Sequence, residues 1–150
     1  ALDLYAGAGL FTAALAGAVG PSGRVLGLEG DAGAVRAAKG NLADAGWASV
    51  RRAAVTIDTI EAAMAELGRP DLVVLDPPRT GAGGPVLQAV LAAQPRVISY
   101  VACDPAALAR DLRTAQEAGW QLAELTAFDA FPMTHHVECI AMLRPRNTVG

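Results

Sequence analysis

The stretch Asp3-Leu4-Tyr5-Ala6-Gly7-Ala8-Gly9-Leu10 decides how the chain is read. It closes an apolar run and leads into Leu10–Val19, a segment that reads as a helix. Two glycines spaced this way let the backbone turn tightly and approach a ligand closely, with helix N-terminal amides facing it. As a dinucleotide fingerprint the stretch is incomplete, because the third glycine of Gly-x-Gly-x-x-Gly would fall on Thr12. A second apolar run ends at Glu29, 22 residues beyond Gly7, where a carboxylate can accept from ribose hydroxyls. That arrangement serves NAD and S-adenosylmethionine alike. Acidic Asp3 ahead of the glycines, without the third glycine, favours S-adenosylmethionine. The bland alternative, a tight turn in a glycine-rich chain, leaves Glu29 without a role.

Outward from this stretch, short apolar runs alternate with amphipathic segments. The expected strands are Ala1–Ala6, Arg24–Glu29, Ser49–Val55, Asp71–Asp76, Arg96–Ala102, Gln121–Ala127 and Val137–Leu143. The expected helices are Leu10–Val19, Ala32–Ala45, Thr59–Leu67, Gly84–Ala93 and Ala106–Glu117. Asp31 and Asp104 are placed to cap helices, Pro105 suits a first turn, and Gly46, Gly68 and Gly119 each follow a helical run. The last two strands have no helix between them. The pattern predicts a doubly wound α/β domain with a mostly parallel seven-stranded sheet whose last strand is antiparallel. Ligands of such sheets lie beyond the carboxyl ends of the parallel strands.

The composition agrees. The chain has 150 residues, 53% hydrophobic and 18% charged, which suits a single domain with one core and excludes disorder. Twelve basic against fifteen acidic residues give a net charge of -3, so this is no basic nucleic-acid clamp. Two cysteines, Cys103 and Cys139, make no disulfide framework, and two adjacent histidines make no structural zinc site; no metal is expected. The apolar runs are too short to span a membrane, no signal peptide opens the chain, and a cytoplasmic, reducing setting fits best. Because Ala1 opens inside an expected buried strand, the chain is expected to be part of a longer protein.

The remaining candidate residues gather at the expected strand ends. Asp58 follows the third strand and can accept from an adenine amino group or cap the helix at Thr59. Asp76-Pro77-Pro78-Arg79 ends the fourth strand, where the two prolines stiffen the backbone and hold Asp76 at the sheet edge. Arg79 then reaches outwards, to a phosphate or to solvent, and Thr80–Gly84 is expected to be a mobile loop. Cys103 ends the fifth strand just before a helix, a position that favours a thiolate. Cys139, inside the last strand, reads instead as a small buried hydrophobe. Phe131-Pro132-Met133-Thr134-His135-His136-Val137-Glu138 leads into that strand, and His136 and Glu138 share a face by period-two spacing. A carboxylate at Glu138, entering the core, is costly without a partner or a task.

A thiol and a carboxylate beside S-adenosylmethionine suit one chemistry in particular. Carbon 5 of a pyrimidine is a poor nucleophile until a thiolate adds to carbon 6. A base must afterwards remove the proton from carbon 5 so that the thiol can leave. Asp-Pro-Pro-Arg at 76–79, Cys-Asp-Pro at 103–105 with Ala-Arg-Asp at 109–111, and Phe-Pro-Met-Thr-His-His-Val-Glu at 131–138 resemble the RNA (uracil-5-)-methyltransferase family, in its order and spacing over essentially the whole chain. The resemblance implies a Rossmann-like, class I S-adenosylmethionine-dependent methyltransferase domain over residues 1–150. It implies Cys103 as nucleophile, Glu138 as proton acceptor and Asp76 as a further catalytic group. It places the cofactor against Tyr5, Gly7, Ala8, Gly9, Leu10, Glu29, Asp58 and Asp76, and the substrate against Arg79, Phe131 and His136. The substrate it implies is a uridine of tRNA or 23S ribosomal RNA, turned out of its stack.

The chain departs from the family in having Leu10 where asparagine is frequent and Ala102 where serine is usual. An RNA-binding region upstream, implied by the resemblance, would let the full-length protein grip RNA. No membrane and no obligate protein partner is implied. Three other readings make different demands. An NAD oxidoreductase leaves Cys103 and Glu138 without a shared role. A methyltransferase acting on a small molecule or another nucleobase position needs no thiol, and a non-catalytic RNA-docking module needs none of the three residues Asp76, Cys103 and Glu138.

Overall fold

The computed structural model of the protein describes residues 1–130, 133–134 and 137–146. Among these residues the chain forms β1 (Leu2–Leu4), α1 (Leu10–Val19), β2 (Val25–Glu29), α2 (Ala32–Asn41), β3 (Ala48–Arg52), α3 (Ile57–Leu67), β4 (Leu72–Leu75), α4 (Gly84–Ala92), β5 (Val97–Ala102), α5 (Pro105–Glu117), β6 (Trp120–Phe128) and β7 (Glu138–Pro145). The strands form one sheet in the order β3-β2-β1-β4-β5-β7-β6, parallel from β3 to β5. β7 slots between β5 and β6, antiparallel to both. The expected fold is therefore borne out.

Core burial follows the strand sequences. Leu2, Leu4, Leu26, Leu28, Val73 and Leu75 are buried in the central strands, whose near-continuous apolar runs suit a parallel sheet covered on both faces. Towards the β5–β7 side the pattern alternates instead, with Ile98, Tyr100 and Ala102 pairing with Leu143, Ala141 and Cys139 on one buried face. Cys139 is buried there, as expected of a small hydrophobe. The strand order reverses between β1 and β4. Right-handed crossovers on either side of that point carry the chain to opposite faces and leave a crevice beyond the carboxyl ends.

Element boundaries differ from the sequence reading for local reasons. β1 stops at Leu4 rather than Ala6 because Tyr5 takes a left-handed φ of 65°. α2 stops at Asn41 rather than Ala45, so Gly46 caps nothing; the Asn41 amide side chain turns away to donate to the Ala8 carbonyl. α3 starts at Ile57, capped by Thr56 in a reciprocal pair with Thr59. Asp58 therefore lies inside the first turn of α3, which removes the capping alternative and leaves its side chain uninvolved in the cap. Asp31 and Asp104 do cap, accepting from the Ala34 and Ala107 amides at 2.7 Å each. Among the described residues no helix is long and apolar enough to cross a membrane.

Candidate active site

The site begins with the turn after β1. Gly7 and Gly9 take φ values of 54° and 82°, which glycine adopts without strain. A Cβ on Gly9 would sit 3.1 Å from the Ala38 Cβ, so only a glycine lets α1 start this close to α2. Gly9 offers no side chain to cap α1. Glu29 braces the turn from the end of β2: its Oε2 accepts from the Gly7 amide at 2.8 Å and its Oε1 from the Asp31 amide at 2.7 Å. Each carboxylate oxygen keeps a further lone pair for a ligand hydroxyl.

Beneath the turn, Asp3 is fully buried and its Oδ2 accepts from the Thr12 hydroxyl at 2.5 Å. Thr12, which interrupts the dinucleotide fingerprint, is thus the partner of the acidic residue that precedes the glycines. Sequence reasoning treated it only as a missing glycine. The Asp3 Oδ1 is buried with no hydrogen-bond partner. Burial pushes the Asp3 carboxyl up to about 6; the Thr12 bond opposes that rise, and the Asp76 and Glu29 charges add to it.

Asp76 stands at the exposed rim beyond β4, its amide still donating to the Leu4 carbonyl at 3.3 Å. Its carboxyl is raised above the usual carboxylate range, first by desolvation and then by the charge of Glu138. Glu138 is half-buried at the start of β7, not sunk in the core as the sequence reading expected. It reaches the rim because β7 is antiparallel, so that its amino end shares an edge with the carboxyl ends of β4 and β5. The β5–β7 register runs from Ile98↔Leu143 to Ala102↔Cys139, and one step further along each strand lie Cys103 and Glu138. Cys103 is partly exposed, immediately before the capped start of α5.

Tyr5, Gly7, Ala8, Gly9, Leu10, Glu29, Asp76, Cys103 and Glu138 all lie along the carboxyl edge. Asp58 lies on the same side, exposed in a shallow cleft of about 400 Å³ with Val55, Thr56, Ile57, Pro85 and Val86. Arg79 is exposed on the loop after β4. Phe131 and His136 lie outside the described residues. The loop expected to be mobile is instead tied down. The Ala82 amide donates to the Tyr100 hydroxyl and to Asp111 Oδ2, at 2.8 and 2.9 Å, and Arg110 donates to the Thr80 carbonyl at 3.1 Å. Asp111, which the sequence reading named only as part of Ala-Arg-Asp at 109–111, was given no role there. The signal was present, since it falls on the buried stripe of α5 with Ala107, Leu108 and Ala115.

The site fits a cationic cofactor. Four carboxylates, Asp3, Glu29, Asp76 and Glu138, line this edge, and the repulsion felt at Asp3 and Asp76 is relieved by a ligand carrying positive charge. The partnerless Asp3 Oδ1 is one acceptor such a ligand, or a water beneath it, would satisfy. Among the described residues no cluster of three or more His, Cys, Asp or Glu could hold a metal ion.

Sheet order and helix placement are those of the Rossmann-like S-adenosylmethionine-dependent methyltransferases. The tRNA (uracil-54, C5)-methyltransferase of Pyrococcus abyssi, solved in complex with S-adenosyl-L-homocysteine, superposes with a TM-score of 0.73. It is 29% identical, and the match covers 95% of this chain and 33% of that one. Fibrillarin of Aeropyrum pernix, solved with bound S-adenosyl-L-methionine, shares the fold at a TM-score of 0.73 and 15% identity, over 93% of this chain and 64% of its own. The profile of the tRNA (uracil-5-)-methyltransferase family matches residues 1–146, and the chain belongs to that family. Relatives described as uncharacterized RNA methyltransferases include one from Streptomyces avermitilis, 48% identical over 97% of this chain and 33% of its own length. Another, from Corynebacterium diphtheriae, is 40% identical over 98% and 34%. The chain spans about a third of the length of these curated relatives.

Proposed function

We propose that the protein containing this chain methylates carbon 5 of a uridine in tRNA or 23S ribosomal RNA, through a transient bond between Cys103 and carbon 6. The observation that carries this reading is the β5–β7 register, which brings Cys103 and Glu138 to adjacent positions at the edge where Asp76 and the glycine turn also lie. S-adenosylmethionine, when bound, supplies an electrophilic methyl group. Tyr5, Gly7, Ala8, Gly9, Leu10, Glu29 and Asp76 would hold it, with Asp58 facing the adenine amino group from the cleft beside α3.

The rest of the chemistry belongs to the chain's own side chains. The Cys103 thiolate adds to carbon 6 of uracil and makes carbon 5 nucleophilic. Once carbon 5 carries the methyl group, Glu138 takes the proton still attached there, the sulfur–carbon 6 bond breaks, and the ring double bond returns. Asp76, beside Glu138, holds its carboxyl at the junction of cofactor and base. Arg79 takes a phosphate of the RNA backbone, and Phe131 and His136 are assigned to the substrate side on sequence grounds alone. RNA reaches this edge through the full-length protein, in the cytoplasm, with no obligate protein partner.

The test is a trap. Full-length protein with S-adenosylmethionine and RNA carrying 5-fluorouridine at the target position should form a denaturant-stable adduct, because fluorine cannot be removed as a proton. The adduct should vanish in Cys103→Ala. Methylation of ordinary RNA without any such adduct would remove the covalent mechanism.

A further inference from the structure

Asp111 is a buried carboxylate that the proposed chemistry does not use. It is 5% exposed, and its Oδ2 gathers donors from two separate parts of the chain. The Tyr100 hydroxyl donates to it at 2.5 Å, the Ala82 amide at 2.9 Å and the Gly83 amide at 3.4 Å. Gly83 precedes α4 and has no side chain to cap that helix, so the Asp111 carboxylate, from another element, receives the amides at its entry. Tyr100 is 1% exposed in the middle of β5, and its hydroxyl also accepts from the Ala82 amide at 2.8 Å.

The loop is shaped to accept this grip. Gly81 has a φ of 83°, and a Cβ there would lie 2.8 Å from Asp111 Oδ2. Arg110, one residue before Asp111, holds the Thr80 carbonyl. Tyr5, on the glycine turn, feels the same carboxylate: its hydroxyl is raised by burial and then by the charge of Asp111. One buried carboxylate thus fastens the loop that follows Asp76-Pro77-Pro78-Arg79 and stands behind the cofactor turn.

We infer that Asp111, with Tyr100 and Gly81, is a latch that fixes the Arg79–Gly84 loop so that Arg79 is presented to the RNA backbone. Asp111 is a positioning residue: it touches neither RNA nor cofactor, and acts through the loop. The inference rests on the RNA-methylation reading for Arg79's partner, but not for the latch itself.

The experiment has two arms, each with the full-length protein. Hydrogen exchange without RNA should find the Ala82 and Gly83 amides protected in wild type and exchanging about tenfold faster or more in Asp111→Asn, with Tyr100→Phe between them. Unchanged protection would overturn the latch whether or not the protein methylates RNA. Steady-state methylation should find Asp111→Asn and Arg79→Ala each raising the RNA KM by about tenfold, with S-adenosylmethionine affinity and kcat little changed. The double variant should be no worse than either single one, because a loose loop already fails to present Arg79. Multiplying effects, or a kcat loss that merely follows reduced thermal stability, would overturn the assignment to Arg79. Wild-type protein that bound but did not methylate RNA would instead sink the function proposed above and leave the exchange arm standing.

Discussion

The two halves of the carboxyl edge are built differently. On the β1–β2 side, one contiguous turn does most of the work, and a single carboxylate at the end of the neighbouring strand β2 braces it. Glu29 accepts from both the Gly7 and the Asp31 amides. On the β4–β5–β7 side, Asp76, Cys103 and Glu138 come from the ends of three strands and are brought to one edge by strand pairing. On the proposed function the first half is the cofactor's cradle and the second the set of reactive groups. The division suits a reaction in which a cofactor must be held firmly while a second substrate is engaged and released.

The comparison breaks most visibly at Cys103. Cys103→Ala should lower RNA methylation by about 10³-fold or more while leaving S-adenosylmethionine binding nearly intact, as measured by methyl transfer and calorimetric titration of the full-length protein. Retained turnover would point to a methyltransferase that needs no thiol. Glu138→Gln comes next, with a loss of roughly 10²- to 10⁴-fold. Since proton removal precedes release of the thiol, that variant should accumulate a covalent complex with ordinary RNA, visible on a denaturing gel. A slow variant without accumulated adduct would move the base elsewhere.

Across the divide, Glu29→Ala should weaken S-adenosylmethionine binding by roughly tenfold to a hundredfold, the range for hydrogen bonds to a charged group. It should also lower the melting temperature, because the Gly7 and Asp31 amides lose their acceptor. NAD should not bind either protein.

The smallest effect tests the acidic floor of the cradle. With its folded-state carboxyl at about 6 against an ordinary value of 3.8, Asp3 stays protonated in the native state where the unfolded chain has ionised. Stability should therefore fall as pH rises from about 4 to about 6 and then level off, by at most ~3 kcal/mol. Asp3→Asn should flatten that fall in denaturant titrations. Affinity for the cationic cofactor should run the other way, increasing as pH rises through about 6 and the carboxylate forms. A cofactor affinity indifferent to pH in this window would remove Asp3 from the account.

Periodicity determined most of the fold. Alternating runs marked five helices and seven strands, because apolar spacing reports the face that each element buries. It also marked strand ends, and in a doubly wound sheet those ends are where a ligand lies. The glycine turn, Glu29 and the Asp31 and Asp104 caps were legible because each acts within a few residues or one crossover unit. Of the two roles open to Asp58 the capping one falls away, because a stronger local pair, Thr56 and Thr59, brackets it. The Thr80–Gly84 loop looked mobile because glycine-rich segments usually are, while its fastening comes from Asp111 on another element. The Thr12–Asp3 bond joins residues only nine apart and follows from the turn between β1 and α1, whereas only the tertiary structure decided that Cys103 and Glu138 are neighbours at the edge and that Asp111 holds the loop. These depend on strand order, register and the direction of β7. Such contacts join residues far apart in the chain, and no local spacing encodes which of them will meet.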